Sequence, residues 1–336
     1  MHVLVIGGTR FIGYHTTWRL LAAGHRVTLF NRGTLGNPFG SRVERLEGDR
    51  TTDDFRRLLG ERSFDAAVDF AAYYGDEVRS VLDVLAGRVG HYVFISTGQV
   101  YLVRDGCAWP AREEDYAGRL IPKPESSADR SEWEYGVGKR ECEDLLVEAW
   151  ISSRFPSTRL RLPMVNGERD HLRRIERYLW RILDGGPVIL PDGGTRPTRH
   201  VYSGAVARAI VSLLGQERTF GQAYNLSQDE MPTVAQLAGT LIELLGSPAR
   251  VLGVPAERIR EAGLDPKDLS PFGGRWASLL EPARAKAELG FRHEPLREYL
   301  GTIIACFLAH PPSAPSESYS RHRAAERALA ALAAPA

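Results

Sequence analysis

The 336 residues carry 43 Lys and Arg against 42 Asp and Glu, a formal net charge of +1, with 43% hydrophobic and 25% charged residues. That balance is ordinary for a globular chain and excludes a disordered or membrane composition. It also leaves no electrostatic footprint for nucleic acid or a membrane surface as partner. The length exceeds one minimal domain and suits a cofactor half joined to a substrate half.

Cys107, Cys142 and Cys306 stand far apart with no C-x-x-C spacing, which argues against a zinc site or a disulfide framework, so no metal is expected. With no basic leader and no apolar run near about 18 residues, the expected location is a reducing cytoplasm. Only four lysines, Lys123, Lys139, Lys267 and Lys286, occur among the 43 basic residues. In so arginine-rich a chain a lysine can mark a place that needs a compact ammonium instead of a planar fork.

Residues 2–6 read as a short buried strand, 7–13 as a glycine-bearing turn, and 12–23 as a helix closed by Gly24. A second strand is expected over 26–30, and further strands over 66–71 and 92–95 flank a helical pattern over 77–86. Strands alternating with helices predict an α/β fold, a doubly wound parallel sheet covered on both faces. Residues 102–130, polar and carrying Pro110, Pro122 and Pro124, exceed an ordinary structureless connection and read as a lid or a mobile segment. A helix over about 131–150 and a strand over 158–162 are expected to complete the main sheet.

Beyond Pro163 the segments are mixed, with a helix near 173–183 and turns at 184–186 and 192–194, which reads as a smaller mixed α/β substrate domain. The expected division gives residues 1–165 with about 196–226 to dinucleotide binding, and about 166–195 with 227–310 to the substrate. Residues 311–336 are expected as a Pro/Ser linker followed by an alanine- and arginine-rich surface helix.

The run Gly7-Gly8-Thr9-Arg10-Phe11-Ile12-Gly13 lies between a strand and a helix. There glycines permit a tight turn and let backbone amides approach a pyrophosphate at the helix N-terminus. The run resembles the glycine motif of the extended short-chain dehydrogenase/reductases, the NAD-dependent epimerase/dehydratase group, with Arg10 at the usual central glycine. The resemblance implies a Rossmann-type sheet and assigns Gly7, Thr9, Arg10, Phe11, Ile12 and Gly13 to the cofactor.

Where an acid would hold an NAD ribose, the second strand ends in Asn31-Arg32. A guanidinium there favours the 2′-phosphate of NADP, so NADP(H) is expected over NAD(H), with Arg10 assisting. By the same resemblance Asp49, with Arg50 beside it, matches the acid that contacts adenine, and Ala71 and Ala72 match small residues beside the cofactor.

Tyr135 and Lys139 are four apart on a predicted helix and share one face. An ammonium near a phenol of intrinsic pKa near 10 favours the phenolate and brings proton transfer into the neutral range. The same lysine can hold the nicotinamide ribose. Gly136 and Gly138 between them cost about 1 kcal/mol each in a helix relative to alanine, a cost that close approach of a cofactor would explain.

The run 94–101 resembles the family's Ser/Thr-rich strand end and places Thr97 at the catalytic hydroxyl, with Ser96 as the neighbouring alternative. That hydroxyl would bind the carbonyl or carbinol oxygen while Tyr135 exchanges the proton and the nicotinamide the hydride.

Dehydrating members resemble Thr-Asp-Glu at this point, whereas here the triplet is Thr97-Gly98-Gln99. Glycine donates nothing and a glutamine amide takes no proton at neutral pH, so dehydration is not expected. Met164 stands where sugar-nucleotide enzymes carry asparagine. Arg196 and Arg199 are candidate contacts to a diphosphate, and Gln99 to the substrate.

The resemblance implies a small-molecule substrate and a homodimer through sheet-flanking helices. The leading expectation is a reductase or dehydrogenase acting on a secondary alcohol or ketone of a sugar-like metabolite. The alternatives are an epimerase that retains its cofactor, and a non-catalytic binding protein on the same fold, including RNA binders that the 7–13 run also resembles.

Overall fold

The computed structural model describes residues 1–315 and 317–333; Ser316 and residues 334–336, which belong to the expected linker and tail, lie outside the described residues. The chain divides into two compact units, the first formed by Met1–Val165, Val201–Ser227 and Ser278–His293. The second unit holds Asn166–His200, Gln228–Ala277 and the chain from Glu294 onward. Segment Ser278–His293, expected in the substrate domain, is thus part of the first unit.

In the first unit β1 (His2–Ile6), α1 (Phe11–Ala22), β2 (Arg26–Asn31) and β3 (Glu44–Glu47) are followed by α2 (Asp54–Leu59), β4 (Ala66–Asp69), α3 (Gly75–Leu85) and β5 (Tyr92–Thr97). Then come α4 (Gln99–Leu102), α5 (Ser127–Ser153), β6 (Ser157–Leu162) and β7 (Met164–Asn166), the last leading into the second unit. There α6 (Arg174–Leu183) and β8 (Val188–Pro191) precede β9 (His200–Tyr202), which returns the chain to α7 (Ser203–Leu213) and β10 (Ala223–Asn225). The second unit continues with α8 (Val234–Leu245), β11 (Val251–Val254), α9 (Ala256–Glu261) and α10 (Pro266–Leu269), and after α11 (Ala283–Leu289) in the first unit it closes with α12 (Leu296–Ala309) and α13 (Glu317–Ala333).

The main sheet has seven strands in the order β10-β6-β5-β4-β1-β2-β3, every neighbouring pair parallel. This is the doubly wound Rossmann arrangement expected from the alternation of strands and helices. Because side chains alternate along a strand, Val3 and Val5 pack with Leu20 of α1 and Ala205 of α7. Leu4 and Ile6 pack on the other face with Val78 and Val81 of α3 and Leu146 of α5. Both faces being covered, the strands read as continuous apolar runs.

β6 was expected to complete the sheet, but β10 adds a strand beyond it, pairing Ala223 with Arg159 and Asn225 with Arg161. β3 escapes a periodicity reading because only Leu46 of its four residues is buried, as befits an edge. α5 begins earlier than expected because the Ser126 hydroxyl accepts from the Asp129 amide at 3.3 Å and caps it.

Residues 102–130 are tied down rather than structureless. Ala111 N–H donates to Leu279 O at 2.8 Å, Glu281 N–H to Ala111 O at 2.8 Å, and Ile121 N–H to Val103 O at 2.9 Å. The tail helix lies at the surface with one face closed, since Arg327, Ala328 and Leu332 are exposed while Arg323 and Glu326 of α13 are 7% and 0% exposed and Ala330 packs with Ile189, Val254 and Ile259 in the second unit.

Candidate active site

The sheet reverses its winding between β1 and β4, and ligands of open α/β sheets collect outside the carboxyl ends of such strands. After β1 the chain turns through Gly7 (φ +101°) and Gly8 (φ +55°), and α1 then starts at Phe11, itself at φ 43°. A Cβ on Gly8 would lie 2.6 Å from Val5 Cγ1, and one on Gly13 would lie 2.8 Å from the Cα of Gly8. These glycines therefore let the helix close directly onto the turn. Thr17 fastens it by donating to Gly13 O at 2.8 Å and Gly8 O at 3.2 Å.

The first turn of α1 holds no acidic residue and Arg10 provides no side-chain cap, so its amides and dipole face outward as an anion cradle. A Cβ on Gly7 would come within 3.2 Å of Phe70 Cβ and 3.7 Å of Ala71 Cβ, so the ends of β1 and β4 adjoin as one ligand wall. This cradle fits a dinucleotide pyrophosphate, with Thr9, Ile12 and Ala71 on its partly buried rim and Ala72 wholly buried behind it.

Ala71 and Ala72 are set by Asp69, whose Oδ1 accepts from their amides at 2.8 and 3.1 Å. Asp69 is fully buried and is held in turn by Tyr92 OH at 2.7 Å and Arg50 Nη1 at 2.9 Å. The expectation of Arg50 at the cofactor is thereby corrected. Its guanidinium is spent on Asp69 and on Glu77 O, at 2.9 Å, because a buried carboxylate needs a paired cation.

Asp49 closes its own turn by accepting from Thr51 N and Thr51 Oγ1 at 2.9 and 2.7 Å, and these bonds, aided by Arg32, hold its carboxyl below the usual range. Asn31 Oδ1 accepts from Gly33 N at 3.0 Å, while its Nδ2 is buried with no partner. Arg10 and Arg32 are both exposed.

α5 is stitched to the end of β5 residue by residue. Glu143, fully buried, accepts from Ser96 Oγ at 2.5 Å and is forked by Arg161, whose Nη2 lies 2.6 Å from Oε2. Ser96 is thereby removed as the alternative to Thr97 and as a substrate contact, its hydroxyl being committed to the interior. One turn earlier the Lys139 ammonium donates to Ile95 O at 2.7 Å and is 3% exposed.

The ammonium sits 4.7 Å from the ring centroid of Phe94, 5.0 Å from that of Tyr73 and 6.0 Å from that of Tyr135. Burial pushes its pKa down to about 8, with the charges of Asp69 and Glu77 pulling the other way. Tyr135 is partly buried, its ring 5.9 Å from that of Tyr73. At the strand end Thr97 is partly buried and its Oγ1 accepts from Gln99 N at 3.2 Å. Thr97, Tyr135 and Lys139 thus belong to one helix–strand junction in the first unit.

Three residues of this junction escape a sequence reading. Tyr73 is signalled only by following Ala72, and Glu132 only by lying three before Tyr135 on the same helix. The Glu132 carboxylate accepts from the Gln99 side-chain amide. Ser278 has no sequence signal, yet it fills the space a side chain at Gly98 would need.

The glycines of α5 also have a different reason from the one expected. A Cβ on Gly136 would meet Val103 Cγ1 at 2.6 Å and Gln99 O at 3.0 Å, and one on Gly138 would meet Tyr73 O at 2.5 Å. They admit α4 and the 73–74 backbone rather than a cofactor.

Met164 opens β7 and is partly buried. The candidate arginines lie in the second unit. Arg196 donates to Gly273 O at 3.4 Å, and Arg199, 7% exposed, donates to Asp229 O at 2.9 Å. Among the described residues no group of three His, Cys, Asp or Glu could hold a metal ion, and no helix is long and apolar enough to cross a membrane.

A parallel Rossmann sheet whose first strand–helix turn is a glycine cradle defines an α/β protein of the dinucleotide-binding fold class, here with a Tyr–Lys helix beside a hydroxyl-bearing strand. The sequence model of the NAD dependent epimerase/dehydratase family matches residues 3–227, and the chain belongs to that family. It is 28% identical over 260 residues to the chloroplast stem-loop binding protein of 41 kDa b of Arabidopsis thaliana, covering 73% of this chain but only 64% of that relative's length. It is 25% identical over 334 residues to a UDP-glucose 4-epimerase of Corynebacterium glutamicum, covering 88% of this chain and 91% of that one. Its fold is similar to that of a UDP-glucose 4-epimerase of Thermotoga maritima, with a TM-score of 0.73, 20% identity, and coverage of 92% and 99%.

Proposed function

We propose that the chain is a nicotinamide-dependent oxidoreductase that interconverts a secondary alcohol and a ketone on a sugar-like metabolite, with Tyr135 as general acid and base. The observation that carries this reading is the buried Lys139 ammonium, held by Ile95 O and faced by the ring of Tyr135 at the end of β5. Bound along the cradle, the dinucleotide supplies the hydride acceptor and donor.

The remaining work falls to side chains. Thr97 hydrogen-bonds the substrate oxygen, and Tyr135 moves the proton between that oxygen and its own phenol. Lys139 favours the phenolate by its charge. Gly7, Thr9, Phe11, Ile12 and Gly13 hold the pyrophosphate, Ala71 and Ala72 line its path, and Asn31 and Asp49 border the adenosine. Exposed Arg10 and Arg32 support a preference for NADP(H).

The test mixes the full chain with NAD⁺ or NADP⁺ and a panel of UDP-hexoses, following the near-ultraviolet absorbance of the reduced nicotinamide. Formation in the native chain and loss in Tyr135→Phe is the expected result. Equal formation in both would refute the role of Tyr135.

The near full-length likeness to a UDP-glucose 4-epimerase favours a second reading, epimerisation with retained cofactor. Isomerised sugar without net reduced nicotinamide, read by NMR, selects it over net reduction. The stem-loop-binding relative favours a third. Stem-loop RNA retarded on a gel equally by the native chain and by Tyr135→Phe, with no sugar oxidised, would establish binding without catalysis. For assembly, the family likeness favours a homodimer through α3 and α5, checked by sedimentation.

A further inference from the structure

Position 99 carries an amide where proton chemistry beyond Tyr135 needs an acid, yet that amide is bonded to a carboxylate. The Gln99 side chain, 7% exposed, donates to Glu132 Oε2. Glu132 lies one helical turn before Tyr135 and two before Lys139, so all three share a face of α5. In a parallel α/β unit the helix runs back along the sheet, so residues of α5 ahead of Tyr135 extend past the carboxyl ends of the strands, where ligands bind. Gln99 follows β5 by two residues and Thr97 is the last residue of that strand. The carboxylate missing from the strand end is thus delivered by the neighbouring helix.

We propose that Glu132 is a second proton-handling residue of the site, a carboxylate set by Gln99 that removes and returns a proton on the carbon next to a ketone. This rests on the oxidoreductase reading only in placing a keto sugar against Thr97 and Tyr135. The C–H bond breaks, its proton passes to a carboxylate oxygen of Glu132, and the electron pair moves through the carbon–carbon bond onto the ketone oxygen. Thr97 and the protonated Tyr135 hydrogen-bond the resulting enolate. Return of a proton from Glu132 to the same carbon restores the ketone, and exchange of the carboxyl proton with water labels it. The chain then acts on carbon-bound protons beside the carbonyl, an activity that its Thr-Gly-Gln triplet alone would deny it.

The experiment supplies the ketone ready-made, so no redox step is needed. The full chain is incubated in D₂O with a UDP-4-keto-6-deoxyhexose and no added cofactor, and loss of the proton beside the carbonyl is followed by NMR. The native chain is expected to exchange it well above the buffer rate, and Glu132→Gln to slow that exchange by about 100-fold or more. Binding of the same nucleotide sugar, measured by titration calorimetry, is expected to stay unchanged. Gln99→Leu, which keeps the carboxylate but removes its holder, slows exchange by a smaller factor and remains informative if the first variant folds poorly.

Exchange no faster than in buffer, or unaffected by either substitution, overturns the role of Glu132. The oxidoreductase reading fails separately, through reduced-nicotinamide formation that Tyr135→Phe leaves intact.

Discussion

The helices α13 and α5 both carry buried charge and treat it differently. In α13 of the second unit every buried charge is closed. Glu326 accepts from Arg181 Nε and Nη2 at 2.9 and 2.6 Å and from Arg323 Nη1 at 2.9 Å, and Arg323 reaches Asp184 at 2.6 Å. In α5 of the first unit Glu143 and Arg161 form such a pair, but Lys139, four residues away, has no ion-pair partner among the described residues and rests on a carbonyl oxygen and three rings. Closed forks fix helices in place. An ammonium held without a contact ion pair weakens the fold locally and keeps its charge for a ligand or a reacting phenol.

The sharpest way to break this contrast is to remove one partner on each side. Tyr135→Phe, beside the open ammonium, is expected to lower turnover by about 10²- to 10⁴-fold while leaving the thermal midpoint within about a degree or two, as a hydroxyl at a partly exposed site should. Glu326→Gln, inside the closed network, is expected to lower stability by about 3–5 kcal/mol in urea unfolding, because it leaves the buried Arg181 without its counter-charge while Arg323 keeps Asp184. Turnover per folded molecule should stay the same. An equal stability loss in both variants would erase the distinction.

A pH series sharpens it further. Lys139 titrates near 8 in the fold against an ordinary value of 10.5. Between those values the unfolded chain binds the additional proton, so this residue's contribution to stability rises with pH across that window, by up to ~3 kcal/mol. Below pH 8 the lysine is charged in both states and its burial cost is fully present. The measurement is the urea midpoint from pH 8 to 10 for the native chain and for Lys139→Met. The native chain should gain relative to the variant as pH rises, and a loss would show that a counter-charge holds the ammonium.

The open region was largely legible in the sequence and the closed one was not. The glycine turn, Ala71 and Ala72, Thr97, and the Tyr135–Lys139 pair are local patterns, each written within a few residues at the end of a strand or along one helix. Their surroundings are long-range. Ser278 reaches Gly98 across the chain, Arg50 is claimed by Asp69, and Ser96 by Glu143. Gly136 and Gly138 read as cofactor glycines because spacing shows that a side chain is unwelcome without showing what excludes it. The buried face of the tail helix was illegible for a similar reason: Arg323 and Glu326 look like solvated charge until Arg181 and Asp184 are brought against them.

The smallest expected effect extends the contrast to the cofactor's far end. Arg10 and Arg32 are exposed and, like Lys139, make no ion pair among the described residues. Near Arg32, Glu47 occupies the space a side chain at Gly33 would need, but its carboxylate is already paired with Arg45 at 3.1 Å. Asp49 is committed to Thr51. The acids that would select a ribose hydroxyl are thus engaged, while the guanidinium that would bind a 2′-phosphate is not. Arg32→Ser should weaken NADPH binding about 10-fold, the worth of one charge-assisted contact at a solvated site, and leave NADH binding nearly unchanged. Nucleotide fluorescence titrations at low salt read both constants. Equal loss for the two cofactors would make Arg32 a general phosphate contact, and no loss for either would leave the open arginine as ordinary surface.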